Sequence, residues 1–123
     1  MRLLIDTQIF IWSVIDSERL TRDARKIMLD AETIFVSAAS IWEIAIKTKI
    51  GKLEGNPIEF VSAISKSGFS DLPIQAIHAA EVYKLPLHHR DPFDRMLIAQ
   101  ALSEKIPILT SDRMLSQYSE LVI

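Results

Sequence analysis

Short apolar runs alternate along this chain with stretches in which apolar residues recur at a helical spacing. The runs at Leu3 to Ile5, Ile34 to Val36 and Ile106 to Thr110 predict buried strands. A third strand in chain order is expected within Phe69 to Ile74, and Leu121 to Ile123 could add a fifth. Strands this apolar need cover on both faces, which is typical of a parallel sheet between two layers of helices.

Helices are predicted between the strands because apolar residues recur there at intervals of three and four. They cover residues 9–15, the segment from the N-cap candidate Thr21 to Ala31, Ser37 to near Gly51, Asn56-Pro57 to Gly68, Gln75 to Lys84, and Asp91-Pro92 through Leu102. Their first residues can accept hydrogen bonds from backbone N–H groups, and glycine or proline marks most of their ends. With no linker, repeat or low-complexity tract, residues 1–123 are expected to form a single α/β domain.

Composition narrows the classes of function. Cysteine is absent, which excludes thiolate chemistry and zinc-finger designs and fits a reducing cytoplasm. A net charge of −2 argues against coating nucleic acid through bulk positive charge, but a carboxylate site that holds cations can still face phosphates. Asp6 and Gln8 interrupt the apolar N-terminus, and the apolar stretch around Glu43 is too short to span a bilayer. We therefore expect no membrane association.

Four separated carboxylates are candidates for one site. In an open α/β sheet, ligands bind beyond the carboxyl ends of the strands, near helix N-termini. Asp6 ends the first predicted strand, Asp112 follows the fourth, and Asp94 lies in the first turn of the last helix. Glu43 lies six residues past Ser37, roughly 9 Å along its helix, but its side chain leans back towards the helix start.

Each of these acids also has a structural explanation. Aspartates after strands commonly cap turns, and the segment from Asp91 to Asp94 resembles an ordinary helix start. Glu43 stands four residues before Lys47, the favourable order for an exposed ion pair. However, the residues from Ile41 to Ile46 around Glu43 are otherwise apolar, and a buried carboxylate is costly unless it is paired or binds a cation. That cost favours a functional role for Glu43.

If the four acids converge, their chemistry is restricted. An all-oxygen site selects Mg²⁺ or Mn²⁺ and not zinc. Such ions can activate water and stabilise the leaving oxygen of a phosphodiester, so no histidine base is needed. His88 and His89 are expected to be exposed, where they could touch a phosphate or base, and His78 is expected to be structural.

Other active sites match the sequence less well. The three glycines cannot form a P-loop or a dinucleotide fingerprint, and the G-x-S-x-G motif of serine hydrolases is absent. The segment Asp6-Thr7-Gln8 lacks the second aspartate of an aspartyl phosphatase.

Four segments match one known family in order along nearly the whole chain: LLIDTQIFIW, VSAASIWEIAIKTKIGKL, LPLHHRDPFDRMLIAQA and ILTSD. On these segments the chain resembles the PIN-domain ribonucleases and, among them, the VapC toxins of bacterial and archaeal toxin–antitoxin pairs. The stretches HRDPFDRMLIAQA and SAASIWEIAIK are distinctive, whereas ILTSD alone would be weak. Gln8 departs from the pattern, since relatives often have histidine there.

The resemblance implies a PIN-like three-layer α/β/α sandwich with a parallel sheet of four to five strands in the order 3-2-1-4-5. It assigns metal binding and catalysis to Asp6, Glu43, Asp94 and Asp112. Thr110 or Ser111 would orient the cation or its water without being ligands. It further implies Mg²⁺, with Mn²⁺ as a substitute, cleavage of RNA such as tRNA or rRNA, a homodimer, and a cognate antitoxin in the cytoplasm.

Two sets of residues could serve these partners. Trp12, Ile15, Leu20 and Met28 supply apolar surface on the first two helices for an amphipathic antitoxin segment, although at least half of them are expected to fill the core. Basic residues that flank the acids could hold the RNA backbone, although singly they are ordinary surface charges. These residues are Lys47, Lys49, Lys52, Arg90, Arg95 and Arg113.

The leading hypothesis is thus a metal-dependent endoribonuclease toxin. One alternative is a PIN-fold nuclease of RNA processing or DNA repair without a toxin role. The other is a catalytically inactive α/β binding module in which the acids only cap helices.

Overall fold

The computed structural model describes residues 1–87 and 91–123, in which strands and helices alternate. The strands are β1 (Arg2–Ile5), β2 (Thr33–Ser37), β3 (Ser70–Leu72) and β4 (Ile108–Leu109). The α-helices are α1 (Thr7–Val14), α2 (Arg22–Asp30), α3 (Ala38–Lys49), α4 (Pro57–Lys66), α5 (Ala76–Glu81) and α6 (Pro92–Glu104). Short 3₁₀ helices occupy Val82–Lys84 and Arg113–Gln117.

The strands form one parallel sheet in the order β3-β2-β1-β4. Beyond β4, Val122 makes an isolated parallel bridge to Ile108, and the backbone N–H of Ile123 donates to the Ile108 carbonyl at 2.9 Å. The parallel sheet of four to five strands is confirmed. A single bridge occupies the place expected for the fifth strand.

Helices cover both faces of the sheet, as alternate residues of β1 show. Leu3 and Ile5 are fully buried in one apolar cluster, together with residues of α1, α2 and α4. Leu4, which points the other way, belongs to a second cluster with residues of α6 and β4. Side chains on neighbouring positions of a strand point to opposite faces, so the expected three-layer α/β/α arrangement is confirmed.

Most helices begin where the sequence predicts, because their cap residues are present. Side-chain oxygens accept from backbone N–H groups of the first turn at Thr21, Ser37, Asn56 and Asp91. The helix predicted from Gln75 to Lys84 is divided into α5 and a 3₁₀ turn.

The fourth strand is shorter than predicted, comprising Ile108–Leu109 and not Ile106 to Thr110. Pro107 has no N–H to give to the sheet, and the N–H of Ile106 donates to the Ala101 carbonyl at 3.0 Å, where it closes the end of α6. Lys105 adopts the left-handed conformation at this end, with φ 57°. The 3₁₀ helix Arg113–Gln117 was not predicted.

In the described ranges, no helix is both long enough and apolar enough to span a bilayer.

Candidate functional site

A cavity of about 350 Å³ lies where β1 and β4 end and where α3 and α6 approach each other. All four acids predicted to form the site line it, and Asp91 lines it as well. The other lining residues are Thr7, Gln8, Ile11, Lys47, Lys52, Leu53 and Ser111. The parallel topology therefore brings carboxylates from four separate segments to one edge of the sheet.

Asp6 is buried at the floor of this cavity, with 5% of its surface exposed. Its Oδ1 accepts from the backbone N–H of Ile9 at 2.8 Å and so caps α1, while its Oδ2 accepts from the Thr110 hydroxyl. Burial raises the pKa of Asp6 to about 6 against the lowering effect of these two hydrogen bonds. The negative charges of Glu43 and Asp112 raise this pKa further. The ionised form is therefore costly here unless a positive charge is nearby.

Thr110 connects two of the acids through one hydroxyl. Its Oγ1 donates to Asp6 Oδ2 at 2.5 Å and accepts from the backbone N–H of Asp112 at 3.0 Å. Asp112 in turn accepts from the N–H of Met114 at 3.0 Å and begins the 3₁₀ helix Arg113–Gln117. Thr110 thus holds the Asp6 carboxylate and the backbone of Asp112 through one hydroxyl, and its predicted role in orienting a cation or its water stays a prediction. Ser111 is part of the cavity wall.

Glu43 is the most unusual group in the cavity. It lies on α3 with 5% of its surface exposed, and its Oε2 accepts from the Lys47 ammonium at 2.5 Å. Its Oε1 is buried and has no hydrogen-bond partner within residues 1–87 and 91–123. A buried carboxylate oxygen without a partner is costly, so structural capping cannot account for Glu43.

The Lys47 ammonium lies in a field of negative charge. Its hydrogen bond to Glu43 raises the pKa of Lys47 against the lowering effect of partial burial, and the charges of Glu43, Asp91 and Asp94 raise it further. The ion pair expected from the spacing of Glu43 and Lys47 therefore exists. However, Glu43 is buried, whereas the structural explanation given for it from the sequence was an exposed ion pair.

Two buried contacts that the sequence reasoning missed hold the helices of the site in place. The Thr7 hydroxyl donates to Ser40 Oγ at 2.9 Å and joins the first turns of α1 and α3. The Ser37 hydroxyl donates to the Gln100 side-chain oxygen at 2.5 Å and joins the start of α3 to α6, which carries Asp94. Their only signal in the sequence is a polar residue on an otherwise apolar turn.

The basic residues predicted to hold the RNA backbone lie in different parts of the structure. Lys47 and Lys52 line the cavity, whereas Arg113 lines a neighbouring cavity that shares Ser111 with it. The Arg95 guanidinium lies elsewhere and donates to the carbonyls of Pro86 at 2.8 Å and of Val82 and Leu85 at 3.3 Å each. These hydrogen bonds hold the segment before α6, and a contact of Arg95 with substrate stays a prediction.

Other residues considered from the sequence do not contribute to the described cavity. Lys49 is absent from the lining. His78 is fully buried within a hydrogen-bonded network, in agreement with a structural role. The expected positions of His88, His89 and Arg90 lie outside the described residues.

The carboxylates share a cavity without forming a compact ligand group. Within the described ranges, no three acidic or histidine side chains are close enough together to hold a metal ion as they stand. Carboxylates repel one another, and Lys47 occupies one oxygen of Glu43. Still, the acids offer only oxygen donors, among them Glu43 Oε1, which has no partner in the part of the chain that the structure describes, and such donors fit a hard divalent cation such as Mg²⁺ or Mn²⁺.

Comparisons with known proteins agree with this arrangement. Residues 3–121 match the family model described as the PIN domain. No curated protein matches the sequence.

Two solved structures are similar in fold. VapBC2 from Rickettsia felis, bound to a DNA fragment from its promoter, is 13% identical with a TM-score of 0.72, over 100% of this chain and 96% of that chain. A toxin–antitoxin complex from Klebsiella pneumoniae is 17% identical with a TM-score of 0.68, over 98% of this chain and 95% of that chain. At these identities the likeness establishes the fold alone.

Proposed function

This chain belongs to the PIN domain family, a family of nucleases, and we propose that it is a divalent-metal-dependent endoribonuclease of the VapC type, the toxin of a toxin–antitoxin pair. The observation that carries the proposal is the buried Glu43, one oxygen of which has no partner in residues 1–87 and 91–123, in a cavity lined by Asp6, Asp94 and Asp112. Acids that serve only to cap helices have no need of such a buried oxygen.

The four acids are the proposed ligands of Mg²⁺, for which Mn²⁺ can substitute. A divalent cation held by Asp6, Glu43, Asp94 and Asp112 would activate water for attack on a phosphodiester and stabilise the leaving oxygen. Thr110 holds the Asp6 carboxylate in one orientation, and the N-cap hydrogen bond from Ile9 holds the other oxygen of Asp6. The site therefore presents acids whose positions are fixed by the backbone and by a neighbouring hydroxyl.

The proposed substrate is RNA, with tRNA or rRNA as the expected class. Lys52 lies at the exposed rim of the cavity and can hold a phosphate, and Ser111 can donate a hydrogen bond beside it. A single-stranded or looped segment suits such an open cavity, because its phosphate can approach the acids without a duplex partner.

An antitoxin partner is proposed from the apolar surface beside α2. A groove of about 410 Å³ is lined in part by Leu20, Met28, Leu29 and Phe69. Leu20 is buried and Met28 packs against the core, so the expectation that part of this set fills the core holds for these two. Leu29 is exposed and offers apolar surface to a partner helix. The similar Klebsiella pneumoniae structure is described as a toxin–antitoxin complex, and the Rickettsia felis structure as VapBC2 bound to promoter DNA.

A homodimer remains part of the proposal. Trp42 is exposed on α3 and contacts Phe93 edge-on, with 5.0 Å between ring centroids. Ile46 and Ile50 continue the same exposed face at helical spacing. This stripe is the apolar surface that we assign to contact with a second copy.

The nuclease activity is tested with purified protein freed of any partner and incubated with total cellular RNA and Mg²⁺. Wild type is expected to produce discrete fragments, whereas Asp6→Asn and Asp94→Asn are not. Asp30→Asn, an exposed acid at the end of α2, is the matched control and should cleave like wild type. Equal cleavage by all four proteins would show that the cavity is not the active site.

The toxin role is tested separately by induced expression in cells. Growth arrest by wild type and normal growth with Asp94→Asn would support a toxin. Normal growth with both, despite cleavage in the purified system, would favour a nuclease of RNA processing. No Mn²⁺ binding at millimolar concentration and no cleavage would favour an inactive binding module.

A further inference from the structure

Lys47 differs from the other basic residues of the cavity in what its ammonium contacts. The ammonium lies 2.5 Å from Glu43 Oε2, within the acidic cavity, whereas Lys52 is exposed at the rim. The Glu43 side chain is 7% exposed and that of Lys47 is 45% exposed. The pair therefore joins a carboxylate fixed in the interior to a cation with a path to solvent.

The pair also lies within a single helix, four residues apart on α3. No movement of one element against another is needed to separate the two groups, because rotation about the lysine side-chain bonds removes the ammonium from Glu43. The ammonium satisfies Oε2 and leaves Oε1 without a partner in the described part of the chain. Glu43 is thus only half neutralised by Lys47.

We propose that Lys47 is a built-in competitor for the cation: its ammonium holds Glu43 Oε2 when no divalent ion is present, and its positive charge opposes an ion at Glu43 until the ammonium moves away. This inference rests on the proposed function, since it concerns the same cavity. Lys47 is then a positioning residue that acts through Glu43.

The charges in the cavity supply the reason for such a residue. Asp6, Asp91, Asp94 and Asp112 line the cavity with Glu43, and acids this close repel one another. An ammonium among them lowers that repulsion and stabilises the cation-free fold. The same positive charge repels an incoming divalent cation, so the affinity of the site is lower than the acids alone would give.

The test is the binding of Mn²⁺ to cation-free protein, measured by calorimetric titration for wild type, Lys47→Gln and Lys47→Met. Glutamine can still donate to Glu43 without a charge, and methionine keeps most of the lysine stem without a donor. Both variants are expected to bind Mn²⁺ about tenfold more tightly than wild type, because one positive charge has been removed a few ångströms from the ion. Lys52→Gln, which removes a charge at the exposed rim, is the matched control and should change the affinity much less.

Thermal unfolding in EDTA supplies a second measurement. Without cation, Lys47→Met should unfold at a lower temperature than wild type, because the buried Glu43 has lost its partner. Added Mn²⁺ should raise its unfolding temperature by more than that of wild type. If Lys47→Met does not fold, Lys47→Gln carries the same comparison, since its amide can take the place of the ammonium hydrogen bond.

The outcomes separate this inference from the proposed function. Wild type that binds Mn²⁺ and cleaves RNA, with Lys47 variants of equal or weaker affinity, would overturn the competitor role and leave the nuclease intact. Binding by the variants alone would support the competitor in its strongest form. If no protein in the series binds Mn²⁺, both the inference and the metal-dependent function are wrong.

Discussion

Two buried polar clusters in this protein each contain an acid paired with a base, but they differ in how fully their polar atoms are hydrogen-bonded. In the first, His78 is fully buried: its Nδ1 accepts from the backbone N–H of Gln75 at 3.0 Å, and its Nε2 donates to Glu104 at 2.9 Å. Gln100 beside it donates to the Pro73 carbonyl at 3.2 Å and accepts from Ser37. In the second cluster, Glu43 and Lys47 leave one buried carboxylate oxygen without a partner among the described residues.

Complete hydrogen bonding distinguishes a structural cluster of buried polar groups from a functional one. A network in which every donor and acceptor is used fixes the relative positions of the elements and costs little to maintain. A neutral hydroxyl such as that of Thr48 is also buried without a partner in the described residues, but an unsatisfied carboxylate oxygen lowers stability far more, so its retention points to a ligand. On this criterion the His78 cluster is structural and the Glu43 cluster is functional, although both contain an acid–base pair.

The largest effect is expected from Glu43→Gln, which changes the unsatisfied cluster. RNA cleavage should fall on the order of 10³-fold or more, because a charged ligand is replaced by a neutral amide. Mn²⁺ affinity should fall in parallel, whereas the unfolding temperature in EDTA should change by only a few degrees. Glu104→Gln makes the same replacement in the His78 cluster and keeps an acceptor oxygen for His78 Nε2. If the Glu104 variant loses as much activity as the Glu43 variant, the distinction between the clusters is false.

A smaller effect is expected from Gln100→Leu, which should lower stability without changing the affinity for Mn²⁺. Leucine fills a similar volume but leaves Ser37 and the Pro73 carbonyl without their partner, which should cost about 2 kcal/mol in the free energy of unfolding. Urea denaturation measures the change, and Gln117→Leu at an exposed position is the control. The affinity of the folded protein for Mn²⁺ should stay within about twofold of wild type. A large loss of affinity at unchanged stability would place Gln100 in the functional cluster.

Whether a feature of the fold or the site could be predicted from the sequence depended on how far apart in the chain its interacting residues lie. Helix starts at Thr21, Ser37 and Asn56 were predicted because a cap and the N–H that it accepts lie within three residues. Asp6 and Asp112 were placed at one edge because parallel strands end together. Local signals and one rule of sheet topology were sufficient for these features.

Other features depend on contacts between distant residues. Thr110 and Asp6 are 104 residues apart, and Ser37 and Gln100 are 63 residues apart, so no local spacing indicates either bond. The spacing of Glu43 and Lys47 predicted their pairing, but the burial of Glu43 results from the packing of α3 in the fold. The hydrogen bonds of Arg95 to carbonyls of residues 82–86 also result from packing, and no local spacing indicates them.

The last effect is expected from Asp6→Asn in cation-free protein, and its size depends on pH. The unfolded carboxyl has an ordinary pKa near 3.8, and burial raises the pKa of Asp6 to about 6. Between these values the folded state holds a proton that the unfolded state has released, so the contribution of Asp6 to stability falls as pH rises through this window. Above pH 6 the carboxyl is ionised in both the folded and the unfolded state, and the folded state bears the full free-energy cost of burying the charge.

Asparagine removes that cost, because it stays neutral and can still accept from the N–H of Ile9. At pH 8 in EDTA, Asp6→Asn should therefore be more stable than wild type by about 3 kcal/mol, measured by urea denaturation. The difference between the two proteins should shrink towards zero as pH is lowered from 6 to 4, and Asp30→Asn should show no such trend. With Mn²⁺ at pH 8 the order should reverse, since only wild type retains the full set of carboxylates. An asparagine variant less stable than wild type at pH 8 in EDTA would mean that Asp6 is held for the fold and not for a cation.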